Sequence, residues 1–460
     1  MHLILRTTLL TAAALCLSAP TLVAQDTQYW TNQYGNRARM LGGSVIGSVA
    51  DISAVYYNPG RLATNAVTGL ILAGNVFQGT TVTRENALGD LSSTKLDALP
   101  SLFAGEFTLG FMGKSRLAYS LLTRQNFDIR VSARGGLEDI FDVPELDSGA
   151  EIRFDQNLGE TWGGLSWAWP LSDRFGIGVT WFGAVRSQRT REQTTAVAVN
   201  ELDRAGLVLQ GLEFDYTDLR FLWKIGFGAD LDEWQLGVSV TTPSVHIAGS
   251  GTVTVDEIFL DQDLNGDGSF NTFVRLGQQE VPSLYKSPFS FGAGASRQFG
   301  ATTLHGSFEW FDGVGEWTVL EAEPVDPQVG EGQITPSVTD DLESVFNWAL
   351  GLQHDFPGNF GGYVGFRTDR SAAPEASLSN STLSFWDIYH VSGGATFNLG
   401  QSSFTMGLIY AWGKDIAEPV RLNPQTFASA PTPQDEVRFR RLTFIIGFEL
   451  SFARGSEAEE

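Results

Sequence analysis

The chain has 460 residues and a formal net charge of −23, and it combines 51 Gly, 32 Phe and 12 Trp with a single Cys. An acidic balance of this size repels nucleic acid and excludes it as a partner, and one cysteine excludes both a disulfide and a thiolate metal site. Many glycines together with many aromatic residues favour one large curved β-sheet over two or three ordinary soluble domains.

Residues 1–24 predict a secretory signal peptide. A short basic start with Arg6 precedes an apolar stretch, and Ala24 offers a small residue for cleavage. The apolar stretch is shorter than the roughly 20 residues that a membrane-spanning helix needs. Cys16 lies inside this segment directly after Leu15, which argues against a lipid anchor. We therefore expect an exported chain that contains no cysteine after cleavage.

Residues 25–66 do not have the pattern of a strand. They are rich in glycine and mixed in polarity, as the run Gln33–Gly43 shows. A compact segment of this kind, placed before a barrel, is either a periplasmic tail or a plug in the barrel lumen.

Residues 67–452 alternate between apolar and polar or small residues with a period of two, which predicts strands with two different faces. Near the C-terminus, for example, Leu442, Phe444 and Phe448 alternate with Thr443 and Glu449. Short polar turns alternate with long acidic connections, as in outer-membrane barrels, and tryptophans near strand ends (Trp162, Trp167, Trp169, Trp181) are typical of membrane-interface girdles.

The sequence thus predicts an all-β fold, a closed antiparallel transmembrane β-barrel of about 14 strands with an N-terminal plug, followed by a polar C-terminal tail over 453–460. The predicted strands are 67–83, 98–111, 116–131, 151–169, 175–193, 210–229, 234–254, 279–297, 302–320, 343–355, 360–370, 384–399, 403–416 and 435–452. In the third of them the alternation breaks down over Leu121–Asn126, which indicates either a kink or a strand that leaves the membrane there.

Charged side chains fall on the face of the strands that we predict to line the lumen. Arg220 and Lys224 share one strand face and could attract a carboxylate ligand, or they could form internal ion pairs that hold the barrel and the N-terminal segment together. His305 and Arg367 are further candidates for ligand contact. Neither a Gly-x-Ser-x-Gly nor a His-Glu-x-x-His motif is present, so we do not expect an enzyme.

One acidic connection has the start of a calcium-binding loop. Asp261, Asp263, Asn265 and Asp267 have the spacing of oxygen ligands in such loops, and Gly266 would allow the sharp turn. Position twelve is Thr272 where a bidentate Glu would stand. The alternatives are a calcium site in an extracellular loop and a plain acidic turn; we expect no other cofactor.

The N-terminal segment carries a family resemblance. Gly42 and Gly43, then Asp51, then Tyr57-Asn58-Pro59-Gly60 resemble the hatch of the FadL/TodX family of outer-membrane transporters for hydrophobic compounds. Asn58-Pro59 and Leu62-Ala63 match the family pattern, whereas Gly60 replaces the usual Ala and Arg61 the usual Gly. The segment Ser287–Gly294 and the strand that ends at Trp310 also resemble a middle hairpin of that family.

The resemblance implies a monomeric barrel in the outer membrane of a Gram-negative bacterium, in contact with outer-membrane lipid. Its function would be passive uptake of long-chain fatty acids or other hydrophobic small molecules. In this family a ligand enters from the extracellular side, a hatch blocks straight passage, and an opening beside a kinked third strand gives a lateral route. The alternative is a FadL-like barrel that serves as a secretion-system or surface-protein anchoring component.

Overall fold

The structure is a computed structural model. It describes residues 22–23, 27–64, 68–84, 91–107, 109–135, 147–199, 205–260, 272–326, 328, 333, 335–374, 386–417, 421–422, 429–430 and 435–452. The predicted calcium loop with Asp261, Asp263, Asn265 and Asp267 lies outside these residues, as do the C-terminal tail and nearly all of the predicted signal peptide.

Fourteen antiparallel strands form a closed wall, as the sequence predicts, because β1 pairs with both β2 and β14. The undivided strands are β1 Thr68–Arg84, β2 Leu91–Phe107, β3 Arg116–Gly135, β4 Asp147–Pro170, β5 Phe175–Val199, β6 Ala205–Leu231, β11 Phe360–Asp369, β12 Ile388–Leu399, β13 Ser402–Ala417 and β14 Asp435–Phe452. The four strands between β6 and β11 are each divided into two segments: β7 Trp234–Thr241 and Val245–Leu260, β8 Thr272–Pro282 and Ser290–Phe299, β9 Thr302–Phe311 and Val314–Leu320, and β10 Val338–Leu342 and Val345–Phe356.

The divided strands change how the wall is paired at the end with the long connections. The first segment of β7 pairs with β6 and with the second segment of β8, and β7 then continues past Pro243 while still paired with β6. Proline cannot donate to a strand ladder, which explains why the division falls there. The other described strands have two residues each: Leu22–Val23, Arg421–Leu422 and Ser429–Ala430.

The outer face of the wall is apolar. Along β14, Leu442, Phe444 and Phe448 are exposed while Thr443 and Ile445 are buried, so the apolar set of the alternation points away from the lumen. Large exposed apolar side chains recur in this way along strands all round the barrel, which is the pattern of a wall that faces lipid. No helix among the described residues is long and apolar enough to cross a membrane.

The tryptophans near strand ends do not all belong to that outer face. Trp167 and Trp169 are exposed on it, whereas Trp162 is buried and points towards the lumen. The prediction that Trp162 belongs to an interface girdle is therefore wrong. The physical reason is the period of the strand, because an even-numbered residue of β4 faces the opposite side from Trp167 and Trp169.

The third strand contains a β-bulge at the position where the alternation breaks down. Thr123 pairs with Thr161 and Gln125 pairs with Glu160, so Arg124 is an extra residue that has no counterpart on β4. Arg124 and Gln125 are both buried, and the buried positions change from even numbers before the bulge to odd numbers after it. Because β3 continues beyond the bulge in register with β4, the break is a kink within the wall.

Residues 27–64, which we call the N-terminal segment, lie inside the ring of strands. They form three short helices, α1 Asn36–Met40, α2 Ala54–Tyr57 and α3 Arg61–Thr64, and all but five of the residues are buried. Helix α1 contacts β11 to β14 and helix α3 contacts β4 to β6. Since these two groups of strands are on opposite sides of a 14-stranded ring, the segment reaches across the lumen.

Candidate functional site: the barrel lumen

Inward-facing glycines near the short-turn end of the strands let the N-terminal segment approach the wall closely. A Cβ atom placed on Gly226 would lie 2.1 Å from Asn58 Oδ1, and one on Gly407 would lie 2.0 Å from Met40 Sδ. These distances are far below van der Waals contact, so no larger residue fits without displacing the segment. We call this set the glycine collar: Gly176, Gly178, Gly226, Gly228, Gly237, Gly294, Gly351, Gly365, Gly394, Gly407 and Gly447.

The predicted hatch motif provides the tightest part of this contact. Asn58 Nδ2 donates to the carbonyl of Ile46 at 3.0 Å and to the carbonyl of Phe227 in β6 at 2.9 Å, while Asn58 Oδ1 accepts from the backbone N–H of Gly60 at 3.1 Å. Pro59 packs against Gly178 and Gly226 of the collar. Asn58 therefore both closes the turn of its own chain and fixes that turn to the wall.

The other motif residues shape the segment itself. Gly42 and Gly43 follow helix α1 with φ values of 66° and 80°, a left-handed conformation that glycine adopts without strain. The Asp51 carboxylate accepts hydrogen bonds from the backbone N–H of Ser53, at 2.8 Å, and from the Ser53 hydroxyl. Burial raises the pKa of the Asp51 carboxyl, and the two hydrogen bonds from Ser53 oppose that rise.

Arg61, which departs from the family pattern, forms an ion pair with the wall. Its Nη1 atom lies 2.8 Å from Asp230 Oδ1, at the end of β6, and its side chain is 2 % exposed. Asp230 also accepts a hydrogen bond from Gln235 at 3.0 Å. The residue that replaces glycine here thus adds a second attachment at the short-turn end of the barrel.

Two of the predicted lumen candidates, Arg220 and Lys224, are paired with carboxylates of the wall. Arg220 Nη2 lies 2.8 Å from Glu160 Oε1, and the same carboxylate also pairs with Arg186 at 3.2 Å. Lys224 Nζ lies 3.3 Å from Glu309 Oε1. Both cations are almost fully buried, and buried charges need such partners because desolvation is costly.

The other two candidates contact the N-terminal segment directly. His305 Nδ1 is 2.7 Å from the Ser48 hydroxyl, and Arg367 donates to the carbonyls of Trp30 at 3.1 Å and Thr31 at 3.0 Å. The indole N–H of Trp30 in turn donates to Glu309, the partner of Lys224, at 2.8 Å. The structure therefore places all four candidates in the lumen, but it does not bring them together around one cavity.

A cationic pocket lies elsewhere in the lumen, where sequence reasoning did not predict it. Arg39, Arg367 and Arg441 line a cavity of about 20 Å³, and none of the described residues that line it is a carboxylate. The Asp369 carboxylate lies behind this lining, 2.6 Å from the Thr31 hydroxyl. An apolar cavity of about 30 Å³ lies beside it and shares Thr31 and Arg441 with it. The apolar cavity is lined mainly by Phe127, Leu158, Trp386, Ile388 and Phe439. The alternation does put Arg441 on the lumen face, but only the fold brings it close to Arg39 and Arg367.

The wall has a window beside the kinked third strand. Strands β2 and β3 pair only over Leu102–Phe107 and Leu117–Leu122, whereas both strands continue for more than ten residues beyond. Further along, Lys95 Nζ and Asp128 Oδ2 are 2.9 Å apart and join the two strands again. We use the word window for the unpaired stretch between the Leu102–Leu122 pair and the Lys95–Asp128 ion pair.

The N-terminal segment supplies hydrogen bonds to both edges of this window. Asn32 Nδ2 donates to the carbonyls of Thr123 and Arg124, at 3.3 and 3.2 Å, and the Tyr34 hydroxyl donates to the carbonyl of Thr123 at 3.1 Å. On the β2 side, Arg39 Nη1 donates to the Ser101 hydroxyl at 3.4 Å. The segment therefore bonds to backbone carbonyls on the β3 edge of the window and to a side-chain hydroxyl on the β2 edge.

Comparison with known proteins shows similarity of fold. The chain matches no protein-family model and no curated protein. A Pseudomonas aeruginosa FadL homologue has a TM-score of 0.62 at 11 % identity, over 92 % of this chain and 100 % of that chain. The Pseudomonas putida toluene transporter TodX has a TM-score of 0.60 at 11 % identity, over 94 % of this chain and 100 % of that chain. The Ralstonia pickettii toluene transporter TbuX has a TM-score of 0.54 at 10 % identity, over 91 % of this chain and 98 % of that chain.

The glycine collar leads to a prediction about the position of the N-terminal segment. In a Ser48→Cys, His305→Cys chain, a short reducible bis-thiosulfonate reagent should form a cross-link, because the native side chains are in contact, with Ser48 Oγ 2.7 Å from His305 Nδ1. Adding Gly226→Ala should lower the cross-linked fraction several-fold, since the new methyl group displaces Asn58, which is bonded to Ile46. Gly79→Ala is the matched control, because its Cβ meets no atom within 4 Å. Equal cross-linking with Gly226→Ala and Gly79→Ala would contradict the close packing.

The fold that these structures share is the one the sequence predicts. The resemblance to FadL/TodX barrels is thus confirmed for the architecture, which extends over nearly the whole chain. A closed barrel with an apolar outer face is suited to span a lipid bilayer, and this chain shares its fold with a FadL homologue and with the toluene transporter TodX.

Proposed function

We propose that this barrel is an outer-membrane channel for hydrophobic small molecules and that the N-terminal segment is its plug. One observation carries the proposal: the segment that fills the lumen is hydrogen-bonded to both edges of a window in the wall. A hydrophobic molecule gains little by entering water but can leave sideways into the apolar membrane. The N-terminal segment closes the lumen along its axis, and the wall is interrupted beside β3. This arrangement suits a lateral route into the membrane.

Passage requires the plug to move. Three cavities between the segment and the described part of the wall have volumes of about 20, 30 and 50 Å³. An apolar cavity of about 150 Å³ is needed to hold a molecule as small as benzene. Each of these cavities is far smaller, so the arrangement described is a closed state. Because Asn32 and Tyr34 bond to the edge of the window, a displacement of the plug would also free that edge.

The cationic pocket supports a substrate with a carboxylate. Arg39, Arg367 and Arg441 would bind a negatively charged head, and the neighbouring apolar cavity would accept the first carbons of a chain. Arg220 and Lys224 are less suited to this role because Glu160 and Glu309 already neutralise them. We therefore propose long-chain fatty acids as substrates, whereas the similar TodX and TbuX structures are described as toluene transporters.

A second candidate function rests on the length of three strands. Strands β4, β5 and β6 have 24, 25 and 27 residues, although about 9–11 residues are enough to cross a membrane. The sheet therefore extends well beyond the apolar band and offers a surface for a protein partner. This surface is compatible with a barrel that serves a secretion system or anchors a surface protein.

Locking the plug tests the channel proposal. In cells that lack their own transporter, the Ser48→Cys, His305→Cys chain cross-linked by the short reducible reagent should take up labelled long-chain fatty acid several-fold more slowly than the parent, and a reductant should restore uptake. A disulfide between wall positions is the control: Thr396→Cys with Thr405→Cys, whose native hydroxyls are 2.7 Å apart on β12 and β13. Uptake that is the same in locked, unlocked and empty membranes would overturn the proposal and favour the protein-partner function.

Replacing one arginine of the cationic pocket tests the substrate class. Arg441→Gln should reduce uptake of a fatty acid by roughly tenfold, because a charge-assisted hydrogen bond is lost. It should leave uptake of an uncharged alkane nearly unchanged. Arg174→Gln removes an exposed arginine from a short turn and serves as the matched control. An equal loss for acid and alkane would indicate a structural role for Arg441 and would contradict carboxylate binding there.

A further inference from the structure

Five consecutive residues of the N-terminal segment contact two distant parts of the wall. We call these residues, Trp30–Tyr34, the strap. At its start, the carbonyl of Trp30 accepts a hydrogen bond from Nε of Arg367, in the cationic pocket, at 3.1 Å. At its end, the hydroxyl of Tyr34 donates to the carbonyl of Thr123, at the edge of the window, at 3.1 Å. The strap therefore joins the cationic pocket to the window over a very short length of chain.

A carboxylate that binds Arg367 would weaken the hold of the wall on the strap. The carbonyl of Trp30 is a neutral acceptor, whereas a carboxylate forms charge-assisted hydrogen bonds, which are stronger. The backbone N–H of Trp30 donates to Asp369 Oδ1 at 2.8 Å, and an anion at Arg367 would repel this carboxylate. Competition for Arg367 and repulsion of Asp369 act in the same direction, so we expect the strap to leave the wall when the carboxylate binds.

The hydroxyl of Tyr57 connects the strap to the turn at Asn58. It accepts a hydrogen bond from the backbone N–H of Tyr34 at 3.0 Å and donates to Gln33 Oε1 at 2.8 Å. Gln33 Nε2 in turn donates to the carbonyl of Trp30 at 3.0 Å. The side chains of this network are buried, and hydrogen bonds are strong in a surrounding of low dielectric. Tyr57 ends helix α2 and directly precedes Asn58, whose amide is bonded to the wall.

We propose that Tyr57 is a positioning residue whose hydroxyl transmits displacement of the strap to the turn at Asn58. This coupling rests on the proposed function, in which a carboxylate binds beside Arg367. When the strap moves, Tyr57 must either follow it or leave buried polar groups without partners, which is costly. Because Tyr57 and Asn58 are adjacent, a Tyr57 that follows the strap withdraws Asn58 from the glycine collar. Binding of a carboxylate thus releases the collar contact together with the window edge.

Two measurements on the full chain in lipid nanodiscs test this coupling, with laurate as the probe. Hydrogen–deuterium exchange of residues 30–34 reports on the strap. The rate at which the bis-thiosulfonate reagent cross-links Ser48→Cys to His305→Cys reports on the rest of the segment, because Asn58 is bonded to Ile46 beside Ser48. Laurate should accelerate exchange of the strap and slow cross-linking at least about fivefold, the lower end of allosteric coupling. Dodecanol, which has the same chain length and no charge, should do neither.

Tyr57→Phe removes the hydroxyl and keeps the ring. In this variant laurate should still accelerate exchange of the strap, but it should slow cross-linking less than about twofold. Gln33→Met removes the acceptor of the same hydrogen bond and should give the same result. Tyr56→Phe is the matched control and should respond like the parent, because Tyr56 is as buried as Tyr57 and its hydroxyl is hydrogen-bonded to none of the described residues.

Retention of a heat-dependent shift in gel migration shows that each protein is folded, and if one of the two uncoupling variants does not fold, the other decides. Equal slowing of cross-linking by laurate in the parent and in Tyr57→Phe would overturn the coupling and leave the proposed function intact. So would a parent in which laurate accelerates exchange of the strap without any change in cross-linking. A parent in which laurate changes neither measurement would contradict the carboxylate site itself, and the coupling with it.

Discussion

Within a membrane every backbone N–H and C=O group must find its partner inside the protein, and this requirement explains most of the architecture. The wall meets it by closing β14 onto β1. It departs from it between β2 and β3, where the ladder ends at Leu102 and Leu122. There the N-terminal segment provides donors to the carbonyls of Thr123 and Arg124. The interrupted part of the wall and the N-terminal segment are therefore one structural unit.

The attachment of the segment depends on two kinds of contact with different consequences. The glycine collar lets backbone and side-chain atoms of the segment lie directly against the backbone of the wall, which fixes the position of the segment by shape. The charged contacts, such as the ion pair of Arg61 with Asp230, fix the position of the segment through specific partners on the wall. Separation of a buried pair leaves a charge that only water or a ligand can satisfy. A segment held in this way should move as a body when a ligand offers replacement contacts, rather than loosen residue by residue.

The number of strands and their two faces could be predicted from the sequence because the strand period is two and membrane and lumen impose opposite polarities. The break at Leu121–Asn126 was visible for the same reason, and the structure shows it to be a bulge. The division of β7 at Pro243 was not predicted. Trp162 lies on the lumen face and not with the interface aromatics, because the parity of a strand position decides which face its side chain takes.

The lumen was less accessible to prediction than the wall. Alternation identifies which residues point inwards, and it correctly put Arg220, Lys224, His305 and Arg367 there. It does not say which inward residues from distant strands meet. The pairing of Arg220 with Glu160, and the meeting of Arg39, Arg367 and Arg441, depend on the order and stagger of strands around the ring. The hatch motif identified the Asn58 turn but not its glycine partners on the wall.

Residues 27–64 should be held in the lumen at rest and released when a hydrophobic ligand binds. Hydrogen–deuterium exchange of the full chain in lipid nanodiscs measures this directly. Without ligand, the amides of residues 27–64 should exchange slowly, like those of the strands, because nearly all of the segment is buried. Saturating fatty acid should accelerate exchange in this segment while the strands stay protected. Rapid exchange of residues 27–64 without ligand, or exchange that ligand does not change, would contradict the account.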